Sequence, residues 1–142
     1  MKLSFEGFKW DRSPDKVARD VTGGDKGLLF LANEAKRLMD PYVPADKLAL
    51  AQNVRVYTEN GCGIDEYTSP YAHYQYGGIL YVSSKTGSAW SRGEYKVPTD
   101  RNIEHDKFRH PLATSEWDKA MITARGDDLV QAYQKYIDRG AK

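Results

Sequence analysis

The sequence predicts an α+β fold, in which an antiparallel sheet of about four strands carries two or three helices packed on one face. Three observations predict it: short segments whose side chains alternate between polar and apolar, longer segments with one apolar stripe, and a tight-turn signal at Asn60-Gly61. The 142 residues contain no repeat and no linker. We therefore expect a single domain that covers residues 1–142.

The first three strands follow from alternation and from one turn. Lys2–Glu6 alternates with a period of two, as a strand with one buried face does. Val54–Thr58 is a second such segment, and Asn60-Gly61 supplies the two residues that tolerate positive φ in a hairpin turn. Ile64–Tyr67 is then the returning strand. A second and longer hairpin is expected from Ile79–Val82 and the region of Tyr95, joined by a loop rich in Ser, Thr and Gly.

Two helices are expected in the first third of the chain. Ser13-Pro14-Asp15 is a helix start, with a capping serine and a proline at the first helical position. Gly23-Gly24 interrupts this helix, because glycine is unfavourable inside a helix. A second helix follows until Asp40-Pro41 stops it. Leu29 and Phe30 fall beside its stripe, which suggests a partner on a second side; the stripe itself consists of Leu28, Leu31, Ala32, Ala35, Leu38 and Met39.

The last helix is expected to begin with Ser115 as its cap and Asp118 three residues later. Its apolar residues form two stripes that are out of phase around Gly126, so we expect a kink there or a new start at Asp127. The first stripe is Trp117, Ala120, Met121 and Ala124, and the second is Leu129, Ala132, Tyr133, Tyr136 and Ile137.

Composition gives no reason to expect strong binding to nucleic acid or membranes. The chain has 21 Lys and Arg against 20 Asp and Glu, a formal charge of +1. Residues 1–10 include Lys2, Glu6 and Lys9 and no continuous apolar stretch, so they resemble neither a signal peptide nor a membrane anchor. We therefore expect the protein to stay in the cytosol in which it is made.

The sequence has no pattern typical of a catalytic, cofactor-binding or metal-binding site, so we expect a protein that is not an enzyme. Cys62 lies between two glycines, without the surroundings of a known cysteine nucleophile. His73, His105 and His110 do not have metal-ligand spacing. The glycines of residues 23–27 lack the phosphate-binding pattern. A hydrolase that uses Cys62 and a histidine is kept as a minor alternative.

Aromatic residues are the unusual feature of this sequence. Four tyrosines fall within ten residues from Tyr67 to Tyr76, and tyrosine rings pack on one side while their hydroxyls form hydrogen bonds. We expect an assembly interface made by Tyr71, Tyr74, Tyr76, Tyr81 and Trp90. Two alternatives stay open for these residues: burial in the domain core, or a stacking surface for single-stranded nucleic acid or carbohydrate.

Three segments resemble the minor capsid proteins encoded among the head-completion genes of long-tailed bacteriophages. They are Leu29–Pro44, Ser69–Gly77 and Phe108–Met121, and the resemblance extends from about Leu28 to the C-terminus. The pattern is similar to the wider group of neck and tail-completion proteins. It departs from that group at Gln75–Gly78, where the group usually has an acidic or polar residue and a Gly-Thr step.

The resemblance implies a structural protein of the virion, located at the head–tail junction after assembly in the host cytoplasm. It implies a homo-oligomeric ring, which we expect to have six copies, between the head-closure and tail-terminator rings. Genomic DNA would pass through the lumen without sequence-specific binding, and the family has no catalytic residues to carry over. The head-closure protein or the tail terminator itself is an alternative within the virion.

Overall fold

The computed structural model describes residues 1–7, 21–45, 49–90 and 92–140. The helix start expected at Ser13 lies outside the described residues. The structure confirms the α+β class, with antiparallel pairing in every ladder. The strands are β1 (Lys2–Glu6), β2 (Val54–Glu59), β3 (Cys62–Tyr67), β4 (Ile79–Ser83) and β5 (Lys96–Asn102), and the helices are α1 (Gly24–Met39), α2 (Ala49–Gln52), α3 (Ala72–Gly77) and α4 (Trp117–Gly140).

The strands divide between two sheets, whereas the sequence predicts about four strands in one. β1, β3 and β2 form a three-stranded sheet in that order, and within the described ranges β4 pairs with β5 alone. Both edges of β3 are occupied by its neighbours, so β4 cannot join it directly, and α3 carries the chain away first. The Asn60-Gly61 turn is confirmed, with φ of 51° and 74° at its two central residues.

Helix α1 lies close against the three-stranded sheet. A Cβ atom built on Gly63 would lie 2.5 Å from the Leu28 carbonyl oxygen and 3.0 Å from the Ala32 Cβ. Glycine at this position therefore permits the close approach of helix and sheet. The predicted stripe of α1 is buried, from Leu28 to Met39. The Phe30 ring stacks on Tyr136 of α4 at 4.3 Å between centroids, so the chain itself contacts Phe30, whereas Leu29 is 39% exposed.

Helix α4 runs without interruption from Trp117 to Gly140. The predicted capping by Ser115 is wrong, since Glu116 directly precedes the helix with φ of 47° and its carbonyl accepts from the Lys119 and Ala120 amides. Helical structure continues through Gly126, where the stripes change phase. Packing of α4 against α1 offsets the cost of about 1 kcal/mol that glycine imposes inside a helix.

The core lies between the three-stranded sheet, α1 and α4, and on α4 it extends from Trp117 to Tyr133. Trp117, at its centre, is fully buried, and its ring meets Tyr67 edge-on at 5.2 Å and Tyr76 at 5.1 Å. Met39 and Met121 are fully buried in the same cluster. Among the described residues, no helix has the length and apolar character needed to cross a bilayer.

Candidate assembly interface

The five aromatic residues expected at an interface differ in exposure. Tyr71 and Trp90 are each 66% exposed, whereas Tyr74, Tyr76 and Tyr81 are half-buried. They lie on three different elements: the start of α3 and α3 itself, strand β4, and the loop between β4 and β5. Of the five, the structure brings Tyr74 and Tyr81 into ring contact, and Tyr76 packs on Trp117 instead.

Tyr76 belongs to the core cluster. Its ring meets Trp117 at 89°, and its hydroxyl donates a 2.8 Å hydrogen bond to the Asp118 Oδ1. Burial, and then the bond to Asp118, raise the pKa of Tyr76 to about 12. The Glu116 amide also donates to the Tyr76 carbonyl at 3.0 Å. For this tyrosine the core alternative applies, and its contacts fix α3 against the beginning of α4.

Tyr74 and Tyr81 join α3 to the β4–β5 hairpin. Their rings meet edge-on at 4.9 Å, and the His73 ring lies 3.8 Å from Tyr74. These contacts orient the base of the hairpin relative to the domain. The two tyrosines therefore help to hold the hairpin against α3.

Among the described residues, the β4–β5 hairpin forms a sheet separate from the other three strands, with Val82 of β4 buried. Of the described helices and strands, α3 makes the most contacts with this hairpin. β5 is exposed along nearly its whole length. Tyr95 is 89% exposed and Val97 41%. Because an isolated two-stranded sheet is only marginally stable in water, such a hairpin gains stability from a further contact.

Trp90 lies in the loop that joins β4 to β5, which we call the hairpin tip. The Trp90 amide donates to the Ser88 Oγ at 3.2 Å, and Lys96 Nζ donates to the Ala89 carbonyl at 2.8 Å. The Arg92 guanidinium lies 5.2 Å from the centre of the Trp90 ring. The exposure of this large indole favours a contact role.

Sequence reasoning did not identify several exposed apolar residues as contact candidates. In the sequence, Tyr95 was used only to locate a strand. Phe108, which is 90% exposed, was named only as the start of a segment that resembles the phage family. Leu112, in the same loop as Phe108, is 56% exposed. Alternation and stripe patterns identify elements, but they do not report which element lacks a covering neighbour.

The histidines have structural partners. His110 Nδ1 lies 2.7 Å from the Val43 carbonyl, and His105 Nδ1 lies 2.9 Å from Gln75 Oε1. Burial, and then the charge of Lys107, lower the pKa of His105. No group of three metal-ligating side chains occurs in the described ranges. Cys62 is half-buried and opens β3, directly after the hairpin turn.

Asp65 is a buried carboxylate in the middle of β3. It is fully buried, and neither of its oxygens has a hydrogen-bond partner among the described residues. It lies opposite Leu3 on β1 and Val56 on β2, on the face that α1 covers. Burial raises the pKa of Asp65 to about 7, against the lowering effect of Lys36. Because Asp65 is buried between α1 and the sheet, its state of ionisation affects the free energy of unfolding.

Comparisons with protein-family models, curated proteins and solved structures gave no match.

Proposed function

We propose that the chain is a structural protein of the head–tail junction of a long-tailed phage, a minor capsid protein that forms part of the neck ring between the head-closure and tail-terminator proteins. The observation that carries this proposal is the exposed aromatic surface of the β4–β5 hairpin, with Trp90 66% exposed and Tyr95 89% exposed. Large exposed aromatic rings are typical of a protein contact.

The three family-like segments support the proposal because they pack on one another. The Thr114 amide donates to the Tyr42 carbonyl at 3.0 Å, which joins the third segment to the first. His110 also bonds to the Val43 carbonyl. The Tyr76 hydroxyl joins the second segment to Asp118 in the third. Segments that are far apart in sequence yet form one packed unit are what a shared fold would produce.

A ring requires two unlike surfaces on each subunit that fit one another, and it closes when the rotation between copies divides a full turn. The hairpin supplies one such surface. The formal charge of +1 suits a conduit, because many Lys and Arg contacts to phosphate would hold DNA tightly during its exit. We therefore propose six copies around a lumen through which DNA passes without sequence-specific binding.

A stacking module for single-stranded nucleic acid or carbohydrate has less support. Stacking platforms present several ring faces along one groove. Here Tyr74 contacts His73 and Tyr81, and Tyr76 contacts Trp117. Tyr71 and Trp90, the two most exposed of the five aromatic residues predicted at an interface, lie on separate elements.

Trp90→Ala is expected to leave a folded protein but to block the joining of heads to tails. The ring is 66% exposed, so its removal opens no cavity, whereas a contact residue of this size contributes strongly to binding. The measurement is complementation of a phage that lacks the gene, with infectious titre and electron microscopy of free heads and tails. Trp90→Phe, which keeps an aromatic ring, is expected to restore much of the titre.

The exposed Thr123→Ala on α4 is the neutral surface control for this experiment. Far-ultraviolet circular dichroism separates the two explanations of a loss of titre. An unfolded Trp90→Ala protein would place Trp90 in the core and contradict its contact role. A folded variant with undiminished titre would contradict it equally.

A further inference from the structure

A groove lies beside the outer edge of β1, which is the edge that does not pair with β3. Within the described part of the chain, β1 is an outer strand of its sheet, so its second edge carries no paired strand. The groove lies between this edge and α4, and it has a volume of about 330 Å³. Its described lining is largely apolar: Ser4, Phe5, Glu6, Gly7, Leu31, Leu129, Val130, Tyr133 and Gln134.

We propose that this groove receives the β4–β5 hairpin tip of a second copy of the chain, with Trp90 as the inserted side chain. The inference rests on the proposed function, since it names the two surfaces by which neighbouring subunits of the ring would meet. The groove wall is accessible, because Val130 is 66% exposed. The tip is accessible too, with Trp90 exposed to the same degree.

The dimensions of the two surfaces agree. A cavity of roughly 150 Å³ lined by aliphatic and aromatic side chains holds a benzene molecule. The groove, at about 330 Å³, has room for the larger indole ring together with part of its backbone. Phe5, Leu31 and Leu129 supply the apolar and aromatic surroundings that an inserted tryptophan prefers.

The charges of the two surfaces also complement one another. The hairpin, residues 79–102, has four basic residues, Lys85, Arg92, Lys96 and Arg101, against two acidic ones, Glu94 and Asp100. The groove has the exposed Glu6 on its rim, and Asp127 lies one helical turn before Val130 on the same side of α4. Since Arg92 lies over the Trp90 ring, insertion of Trp90 brings this guanidinium to the acidic rim.

The hairpin tip and the groove are different parts of the chain, so the contact between copies is heterologous. Each copy can donate its tip to one neighbour and accept the tip of another, which propagates until the ring closes.

The experiment measures self-association of the purified full chain by sedimentation velocity up to millimolar concentration. Native protein is expected to form species larger than a dimer. Trp90→Ala removes the tip and Val130→Glu blocks the groove, so each variant alone is expected to stay monomeric. Mixed in equal amounts, the two retain one intact tip and one intact groove, and they are expected to form a heterodimer and nothing larger.

Ile122→Glu is the matched control, because Ile122 is 52% exposed on the same helix and does not belong to the described groove lining. It is expected to associate like the native chain. A native chain that stays monomeric, either tip or groove variant associating like native protein, or an equal mixture that remains monomeric would overturn the inference.

A charge reversal covers the case in which Val130→Glu does not fold. Glu6→Arg and Arg92→Glu are each expected to weaken association at least tenfold, and the double variant is expected to recover most of it. Failure of that recovery would contradict the proposed pairing. The association experiment and the search for the chain in virions have separate outcomes. If the chain associates but is absent from virions, this inference stands and the proposed function is removed. If the chain is present in virions but does not associate in this way, only this inference is removed.

Discussion

Replacing Asp65 with asparagine is expected to make the folded chain more stable than the native protein at neutral and alkaline pH, and to change stability little near pH 4. Asp65 is fully buried without a described hydrogen-bond partner, and burial raises its pKa from 3.8 to about 7. An asparagine has nearly the same shape and stays neutral at every pH, so the variant removes only the cost of a buried charge.

The direction of the effect follows from proton binding. Well below pH 3.8 the carboxyl is protonated in both the folded and the unfolded chain, and it adds no pH dependence. Between pH 4 and about 7 the unfolded chain loses this proton while the folded chain keeps it, so the free energy of unfolding falls as pH rises. At 1.36 kcal/mol per pKa unit, the loss reaches about 4 kcal/mol above pH 7.

The measurement is urea unfolding of both proteins across this pH range, with the difference in unfolding free energy as the readout. Using the difference cancels the other titrating groups, which the two proteins share. Asp100→Asn, at an exposed position of β5, is the matched control and is expected to give a flat difference. A flat difference for Asp65→Asn as well would show that the folded chain does not hold this carboxyl in a costly environment.

Trp117→Ala is expected to lower the free energy of unfolding by about 3–5 kcal/mol, which is typical when a large aromatic side chain is removed from a core. The Trp117 ring is fully buried and contacts both Tyr67 and Tyr76. Its loss leaves a cavity where α3 and α4 meet the three-stranded sheet. Trp117→Phe, which keeps part of the volume, is expected to cost less.

Chemical denaturation monitored by circular dichroism measures this effect. Trp90→Ala serves as the matched control, because the same substitution at an exposed tryptophan is expected to change stability by less than about 0.5 kcal/mol. Equal losses at the two positions would contradict the assignment of Trp117 to the core and Trp90 to the surface.

Local patterns were sufficient to predict most individual elements. The stripe from Leu28 to Met39 gave helix α1, and Asn60-Gly61 gave the first hairpin with its register. The sequence patterns could not predict that β4 and β5 form a second sheet, because alternation predicts a strand but not the strand with which it pairs. Nor could they find the Glu116 conformation that begins α4, which depends on contacts with α3.

The candidate interface was predictable only in part, because composition does not distinguish a ring in the core from a ring on the surface. Tyr76 and Trp90 were equal candidates in the sequence, yet Tyr76 packs on Trp117 and Trp90 does not. Asp65 also gave no signal, since an acidic residue at an alternate strand position normally faces solvent. Burial is set by how α1 lies across the sheet.

The proposed assembly role is tested most directly by locating the chain in virions: protein identification in purified long-tailed phage particles produced from a genome that carries its gene, and cryo-electron microscopy of their neck. Our account predicts a ring of this chain between the head-closure and tail-terminator rings, with the β4–β5 hairpin in contact with a neighbouring subunit. Absence of the chain from mature virions, or its location away from the neck, would contradict the account.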